Sequence, residues 1–281
     1  MQRIAALLRH SAEGLFAVLF PADCRLCQAP LWDFSRLPVC PDCLQKIKAF
    51  EVDRCRVCGE VLESRGAAVL IDPERTSLCG VCMKSRPAYG RALAHGPYEG
   101  ALRDLIHLLK YDRVRTASRP LGTLLAEALR DEKFGERPVL VPVPLHKTKH
   151  RLRGFNQAEE IARVVRSLTR LDLEAHALVR RRATVSQTGM TPLQRRDNVR
   201  GAFVVRPRAK LALAGRNVIL VDDVMTTGAT AHECARVLLR AGAARVWVAT
   251  AARVTRMIAT KSLEGTTVRP PAATGTDGRL D

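Results

Sequence analysis

Eight of the nine cysteines form four CxxC pairs within the first 82 residues. A CxxC turn places two thiolates where a tetrahedral zinc ion needs two of its four ligands, and a second turn completes the site. Joining the first two pairs and the last two predicts two structural Zn2+ ions in two consecutive zinc ribbons, although spacing alone leaves a cross-braced pairing open. The predicted ligands are Cys24, Cys27, Cys40, Cys43, Cys55, Cys58, Cys79 and Cys82.

Disulfides and redox chemistry are the alternatives to zinc. Disulfides are typical of secreted proteins, and residues 1–20 lack the clean apolar segment and cleavage site of a secretion signal. A redox site does not need four CxxC copies. Residues 21–90 have few large aliphatic residues in regular spacing, as expected where metal replaces a hydrophobic core. The ninth cysteine, Cys234, has small apolar neighbours at helical spacing and is expected to be buried.

The pattern changes after the last cysteine pair to short apolar segments alternating with helical periodicity. Short joints between strands and helices predict an α/β fold, a parallel sheet with helices on both faces. Residues 181–201 have almost no apolar periodicity and predict a long exposed loop. The predicted helices are 102–109, 121–129, 158–168 and 230–240, the predicted strands are 139–144, 176–180, 218–221 and 246–250, and a basic loop follows the first of these strands.

Four segments follow from these patterns. Residues 1–20 are expected to form an amphipathic helix, residues 21–90 a double zinc ribbon, residues 91–264 the α/β domain and residues 265–281 a disordered tail. The net charge of +18 favours partners that carry phosphate, although a basic solvated surface explains charge equally well. No apolar segment approaches the ~18 residues that span a bilayer, so we expect a soluble, cytoplasmic protein.

The stretch VILVDDVMTTGAT, residues 218–230, follows a buried strand with two carboxylates and then with hydroxyls and glycine. Ligands of open parallel sheets bind at the carboxyl ends of strands, where amides at the start of the next helix attract anions. The turn therefore predicts a phosphate site, and Asp222 and Asp223 are expected to meet hydroxyls or a divalent cation on the same ligand. A ribose 5-phosphate satisfies both demands. The predicted contacts are Asp222, Asp223, Met225, Thr226, Thr227, Gly228, Ala229 and Thr230.

This stretch resembles the phosphoribosyl pyrophosphate (PRPP) signature of type I phosphoribosyltransferases. VPVPLH, RGFNQA and SQTGMTPLQRRDNVRGAF precede it, and the CxxC pairs precede them. Together these motifs are similar to the ComF family of competence-associated proteins, also called double zinc ribbon phosphoribosyltransferase-like proteins. The resemblance covers nearly the whole chain apart from the tail, and it implies a type I phosphoribosyltransferase-like sheet after the zinc ribbons.

The resemblance also implies roles for two loops. The pyrophosphate loop matches Pro144, Leu145, His146 and Lys147, and a flexible loop that closes over the ligand matches Gln187, Thr188, Arg195 and Arg196. An active enzyme would bind PRPP with Mg2+ and release pyrophosphate, with Asp222, Asp223, Arg195 and Arg196 as the catalytic candidates. For Arg151, Arg153, Asn156 and Gln157, ligand contact and a basic loop with a helix cap are equally good interpretations. Lys110 and Tyr111 are interpreted as an ordinary helix end.

Two functions stay open at this point. The first is a transferase that moves the phosphoribosyl group to an acceptor, for which no purine or pyrimidine pocket is recognisable. The second is a non-catalytic factor of DNA uptake or processing that uses the PRPP fold as a sensor. That factor would bind single-stranded or double-stranded DNA, or helicase-type competence proteins. The charge fits DNA, but an aromatic content of 4% gives few residues for stacking on bases.

Overall fold

The computed structural model describes residues 22–31, 36–62, 77–184 and 189–255. The predicted helix 1–20, the tail 265–281 and the loop residues Gln187 and Thr188 lie outside the described residues. In the described part of the chain, every helix is too short or too polar to cross a membrane.

The amino-terminal part contains short elements between the cysteine pairs. Strands β1 (Ala22–Asp23) and β2 (Pro30–Leu31) pair in antiparallel fashion. Helices α1 (Pro41–Gln45) and α2 (Gly80–Lys84) each begin directly after a cysteine and contain the second cysteine of that CxxC pair. Elements this short bury little apolar surface of their own, so the cysteines dominate the interior here.

The remaining described residues form the α/β domain. Short 3₁₀ turns at Arg115–Ala117 and Pro207–Ala209 join some of its elements. In chain order these elements are β3 (Arg91–Pro97), α3 (Gly100–Lys110), α4 (Ser118–Leu129), β4 (Val139–Pro142), α5 (Lys147–Arg153), α6 (Gln157–Thr169), β5 (Asp172–Leu173), β6 (Leu178–Arg180), α7 (Pro192–Val199), β7 (Phe203–Val205), α8 (Lys210–Leu213), β8 (Asn217–Met225), α9 (Ala229–Arg240) and β9 (Arg245–Arg253).

The central sheet has five strands in the order β3-β9-β8-β4-β5, all parallel. Its middle strand, β8, pairs with β9 from Asn217 opposite Arg245 to Met225 opposite Arg253. The α/β fold with a parallel sheet is therefore confirmed. Parallel strands that are covered on both sides need apolar residues in nearly every position, as in the first half of β8.

Each face of the sheet has its own hydrophobic core. We call one the α9 face, since Val218 and Leu220 of β8 pack there with Cys234 and Leu238 of α9. We call the other the α3 face: Ile219 and Val221 pack there with residues of α3, α4 and α6. The alternation follows from the two-residue period of a strand. Helices therefore cover both faces, and Cys234 is buried as expected.

Several local predictions were wrong. The basic loop after β4 contains helix α5, and the exposed loop 181–201 contains helix α7. Apolar periodicity could not reveal α5, because none of its residues is buried. A signal for α7 was present, since Thr191 and Gln194 form a capping box.

Strand assignments also needed correction. The predicted strand 176–180 narrows to β6, which lies outside the central sheet and pairs with β7 in antiparallel fashion. Strands β3 and β5 were missed. β5 has only two residues, too few to show a period.

Candidate functional site

Strand β8 carries both aspartates of the PRPP-like stretch. The strand continues to Met225, so Asp222 and Asp223 lie near its carboxyl end, within the strand and not in the loop that follows. Successive strand residues point to opposite faces, which puts Asp222 in line with Leu220 on the α9 face and Asp223 in line with Val221 on the α3 face. The two carboxylates therefore leave the strand on opposite faces, although both line the cavity at its end.

Asp223 forms an ion pair with Lys110 at the end of α3. Both side chains are mostly buried, at 17% exposure for Lys110 and 4% for Asp223. Burial lowers the pKa of Lys110 to about 8, against the opposing attraction of the nearby Asp222 carboxylate. The interpretation of Lys110 as an ordinary helix end was wrong. Its position four residues after the buried Ile106 was the available signal, because residues i and i+4 share a helix face.

Asp222 is half-buried on the α9 face, and its Oδ1 accepts a hydrogen bond of 2.9 Å from the amide of Asp223. Burial raises its pKa to about 6, while the positive charges of Lys110, Arg180 and Arg153 act in the opposite direction. The carboxylate is thus ionised at neutral pH at a cost in desolvation. A ligand that supplies hydroxyl donors or a cation would relieve that cost.

The turn from β8 into α9 depends on Gly228. Its φ of 77° lies in the left-handed region, which glycine adopts without steric cost. A Cβ at this position would also stand 2.8 Å from both the hydroxyl oxygen of Tyr89 and Cε of Met225. Thr227 Oγ1 accepts a hydrogen bond of 3.4 Å from the amide of Ala229, the first residue of α9. Tyr89 and Met225 therefore pack against one side of the turn, and the other side is open to a ligand.

A cavity of about 410 Å3 lies over this end of the sheet. It brings together the strand end, the turn, part of the predicted pyrophosphate loop and one arginine of α7. The predicted site residues in its lining are Pro144, Leu145, Arg195, Asp222, Asp223, Met225, Thr226, Gly228, Ala229 and Thr230.

Among the predicted site residues that the structure describes, four do not line this cavity. Thr227 instead supports the start of α9, and His146 caps α5 by accepting a hydrogen bond from the Thr148 amide. Lys147 lines a neighbouring cavity, and Arg196 is exposed on α7. Arg195, in contrast, is half-buried, and its Nε donates to the carbonyl of Met190.

Arg153 and Gln157, for which ligand contact was one of two interpretations, both line the cavity. Other residues of the wall were not predicted from sequence, among them Arg180 from β6 and Lys149 from α5. Burial lowers the pKa of Arg153, Arg180 and Lys149. Tyr98 and Tyr111 line the same cavity. Asn156 caps α6 as the helix-cap interpretation required, and its amide also donates to the carbonyl of Val143. With Arg195 and Lys110, the described residues of the wall include five cationic side chains around two carboxylates, a balance that suits an anionic ligand.

The next cavity, of about 350 Å3, lies on the other side of α5 and shares Pro144, Leu145 and Arg180 with the first. Glu159 is the one acidic residue among the described residues of its lining, and an ion pair with Arg163 already compensates that charge. The basic side chains of this second cavity are Lys147, His150, Arg151, His176, Arg180 and Arg206.

The cysteines form two separate four-cysteine clusters, one from the first two CxxC pairs and one from the last two. Within each cluster the sulfur atoms all lie within 4.8 Å of one another. Cys24 and Cys43 Sγ are 3.9 Å apart, and Cys58 and Cys79 Sγ are 3.6 Å apart. These separations exceed a disulfide bond but match the ~3.8 Å edge of a tetrahedron with zinc–sulfur bonds of about 2.3 Å. The donor sets therefore fit two structural zinc ions, and the cross-braced alternative is excluded.

The second cluster packs directly behind the turn. Tyr89, whose hydroxyl approaches Gly228, belongs to the same core as Cys55, Cys58 and Cys82. The amide of Ala88 donates a hydrogen bond of 3.1 Å to Nδ1 of His232 in α9. The second ribbon and the candidate site are thus one continuous structure.

Comparison with known proteins gives matches over most of the chain. The family model described as "Phosphoribosyl transferase domain" matches residues 119–262, and the one described as "Double zinc ribbon domain" matches residues 15–83. "DNA utilization protein YhgH" of Escherichia coli strain K12 is 31% identical over 233 residues, which cover 81% of this chain and 95% of that protein.

Two further relatives have names that refer to competence. "Competence protein F" of Haemophilus influenzae is 29% identical, covering 75% of this chain and 88% of that protein. "Competence protein ComFC" of Bacillus subtilis is 25% identical, covering 73% and 80%. The chain therefore belongs to the ComF family, with a double zinc ribbon followed by a phosphoribosyltransferase domain.

Proposed function

We propose that this protein binds PRPP in the 410 Å3 cavity and transfers the phosphoribosyl group to an acceptor, with release of pyrophosphate. One observation carries the proposal: two carboxylates, an anion-binding turn and several cations converge on one cavity at the carboxyl end of a parallel sheet. The 5-phosphate would bind the turn at residues 226–230, and the ribose hydroxyls would face Asp222 and Asp223.

The pyrophosphate would meet the positive side of the cavity. Pro144 and Leu145 provide the loop after β4, and Arg195 approaches from α7. As the bond from ribose C1 to the pyrophosphate oxygen breaks, the leaving group keeps the electron pair, and a nucleophile on the acceptor forms the new bond to C1. Fixed cations facing the leaving oxygen stabilise this charge, so positioning and electrostatics supply most of the catalysis.

Magnesium fits the proposal through the donor chemistry of the site. Carboxylate oxygens are ligands that Mg2+ prefers, and Asp222 is a half-buried carboxylate whose burial already disfavours its charge. Asp223 is less available, because Lys110 pairs with it. When bound, Mg2+ would neutralise charge on the pyrophosphate, with Asp222 as the residue on this chain best suited to hold it.

The two neighbouring arginines of α7 offer a matched test. Arg195 lines the cavity and Arg196 does not, so Arg195→Ala should weaken PRPP binding about tenfold while Arg196→Ala changes it little. Calorimetric titration with PRPP and with ribose 5-phosphate, each with Mg2+, separates the pyrophosphate contact from the rest. Equal losses for both ligands in Arg195→Ala would show that this arginine does not meet pyrophosphate. Failure of the wild-type protein to bind PRPP would refute the proposal itself.

Nucleic acid binding is the second candidate function, and the structure of α5 favours it. This helix buries none of its residues, and its basic side chains face both cavities, with Lys149 and Arg153 on one side and Lys147 and Arg151 on the other. The names of the relatives, DNA utilization and competence proteins, are consistent with such a role. DNA would cross this basic ridge by its phosphates, without base-specific contacts.

Charge reversal on the outer side of α5 distinguishes the two candidates. A Lys147→Glu, Arg151→Glu variant should lose DNA retention in a filter assay at low salt and keep PRPP affinity, since neither side chain lines the first cavity. Wild type at higher salt serves as the control, because phosphate contacts weaken with ionic strength. Unchanged DNA retention would remove α5 from the nucleic acid candidate.

A further inference from the structure

All three tyrosines of the chain gather at the candidate site, although aromatic residues make up only 4% of the sequence. Tyr98 and Tyr111 line the 410 Å3 cavity beside the two aspartates. Tyr89 stands behind the turn and is buried in the core of the second ribbon. The first two are therefore the aromatic side chains of the described wall that a ligand can reach.

Tyr98 and Tyr111 are held on either side of His107. The Tyr98 hydroxyl and His107 Nε2 are 2.9 Å apart, within hydrogen-bond distance, and the ring centroids of His107 and Tyr111 are 5.1 Å apart. His107 and Tyr111 are one helical turn apart at the end of α3, so they share a helix face. The three rings form a continuous aromatic wall, which we call the tyrosine wall.

Core packing does not account for Tyr111. Its relative exposure is 66%, and it follows directly after Lys110, whose ammonium is buried against Asp223. The guanidinium of Arg153 stands 6.0 Å from the Tyr111 ring centroid, at the outer limit of a cation–π contact. The ring is thus open to solvent within the cavity, with a planar cation nearby that can turn toward a second ring.

We propose that the tyrosine wall binds a planar, nucleobase-like ring, and that this ring belongs to the acceptor. The inference rests on the proposed function, since it places the acceptor beside the bound ribose. Stacking on Tyr111, with Arg153 on the other side of the ring, needs a flat π-system that spans several atoms. Ammonia or an alkyl amine has no such surface, so the wall favours a heterocyclic acceptor over a simple amine.

Nucleobase rings occur both free and in single-stranded nucleic acid, and the test separates these sources. Adenine, guanine, cytosine and uracil are titrated one at a time into protein that holds ribose 5-phosphate, pyrophosphate and Mg2+, where no turnover takes place. A ten-residue oligothymidylate and an abasic oligomer of the same length form the second arm. Calorimetry measures binding, and ammonium chloride and glycine serve as non-planar amines.

Replacement of Tyr111 supplies the decisive variants. Tyr111→Leu removes the π face and should weaken ring binding roughly 5- to 150-fold, the range expected for one stacked base. Tyr111→Phe keeps the ring and should retain the affinity. Leu211→Ala changes an 88% exposed apolar side chain outside both cavities and serves as the control for general surface effects. PRPP affinity of each variant shows that the site is intact.

The outcomes separate this inference from the proposed function. If PRPP binds while no base or oligomer binds, or if Tyr111→Leu binds bases as well as wild type, the tyrosine wall has no such role. If a base binds in a Tyr111-dependent way while PRPP does not bind, the tyrosine wall binds a ring, but the transferase proposal fails and the ring is not an acceptor. Binding of the oligothymidylate but not of free bases or the abasic oligomer identifies the ring as part of a single strand.

Discussion

Each face of the sheet has an aspartate and a zinc ribbon, but the contacts that hold them differ between the two faces. On the α9 face, Asp222 lies over a core that includes the cysteines of the second ribbon. On the α3 face, Asp223 pairs with Lys110 above a core that includes the cysteines of the first ribbon. Each face therefore has one aspartate and one zinc ribbon, and the ribbons have identical ligand sets. The difference between the faces lies in what each ribbon touches.

The two ribbons differ in the ion pair that joins each of them to the α/β domain, which is buried for the second ribbon and exposed for the first. Arg253 at the end of β9 pairs with Glu60 of the second ribbon at 2.8 Å, with side-chain exposures of 4% and 14%. Arg25 of the first ribbon pairs with Asp112 at 3.0 Å, with exposures of 53% and 42%. Exposed pairs contribute little to stability, and breaking a buried pair is costly. Two ribbons with the same four-cysteine ligand set can thus contribute unequally to the stability of the α/β domain.

The largest expected effect comes from removing a cysteine ligand on either face. Cys82→Ser and Cys43→Ser should each reduce zinc content from about two ions per chain to about one, because each cluster needs four thiolates. Loss of the second zinc should weaken PRPP binding more than tenfold, since Tyr89 supports the turn from that ribbon. Loss of the first should weaken it less than threefold.

Metal analysis and calorimetry with PRPP test this contrast, and circular dichroism checks that the sheet persists in both variants. Equal losses of PRPP affinity would mean that the two ribbons support the site alike. A protein that binds no zinc and remains folded would contradict the assignment of the two cysteine clusters as structural zinc sites.

The next contrast concerns the two aspartates. Asp223→Asn leaves the buried ammonium of Lys110 without its partner, so we expect a loss of about 3 kcal/mol in the free energy of unfolding at pH 7, in the range for a broken buried pair. Asp222→Asn removes a carboxylate whose pKa is raised to about 6 by burial, so the loss should be near zero or a small gain. Urea denaturation of both variants measures the difference.

A Lys110→Met, Asp223→Asn double variant is the control, because it removes both charges of the pair. It should recover much of the stability lost in Asp223→Asn. If Asp223→Asn alone is as stable as wild type, the ion pair does not hold α3 to β8.

The same contrast shows what sequence could and could not predict. Asp222, Asp223 and the turn are contiguous, so one motif identifies them together. Lys110 and Arg180 come from distant segments and reach the cavity only because α3 and β6 fold over the sheet end. Helices with one buried face, such as α6, were visible as apolar periodicity, but α5 buries nothing and left no period to detect.

The grouping of the cysteines is a similar case. Spacing predicted two four-cysteine sites but could not decide which pairs share a metal, since that depends on chain path and not on ligand chemistry. Adjacency in sequence did not show that the two aspartates have different partners, because a strand sends neighbouring side chains to opposite faces. Removing both carboxylates would also remove the partner of a buried cation, because Asp223 pairs with Lys110.

A pH dependence should separate Asp222 from Asp223. The pKa of Asp222 rises from 3.8 to about 6 on folding, so the folded state binds a proton on this carboxylate more tightly than the unfolded state does. The stability that Asp222 contributes is therefore greatest below about pH 4 and is lost as the pH rises through 6. Ligand binding runs the other way, because hydroxyls and cations need the carboxylate, and PRPP affinity should fall about tenfold from pH 7 to pH 5.

Comparison of wild type with Asp222→Asn isolates this group, since the phosphates of PRPP also titrate near pH 6 and affect both proteins alike. The affinity ratio between the two proteins should shrink as the pH falls. A ratio that stays constant from pH 7 to pH 5 would show that Asp222 does not meet the ligand as a carboxylate.

The smallest effect concerns the contact between the second ribbon and the turn. Gly228→Ala forces a Cβ onto a residue with φ of 77° and toward the Tyr89 hydroxyl at 2.8 Å. Strain from positive φ costs about 1 kcal/mol, and the steric contact adds to it. Tyr89→Phe removes the oxygen atom, so Gly228→Ala should cost about 0.5 kcal/mol less in the Tyr89→Phe background than in wild type. The strain from φ stays in both backgrounds, because it does not depend on Tyr89.

Thermal unfolding of the four proteins in this double-mutant cycle gives the coupling energy directly. The same four proteins with PRPP show whether the contact extends to the ligand, since a turn that is displaced by Tyr89 should bind the 5-phosphate less well than one that is only strained. A positive coupling in both measurements makes the second ribbon a support of the phosphate turn. Additive effects would leave the ribbon beside the site without energetic connection to it, and the α9 face would then differ from the α3 face only in burial.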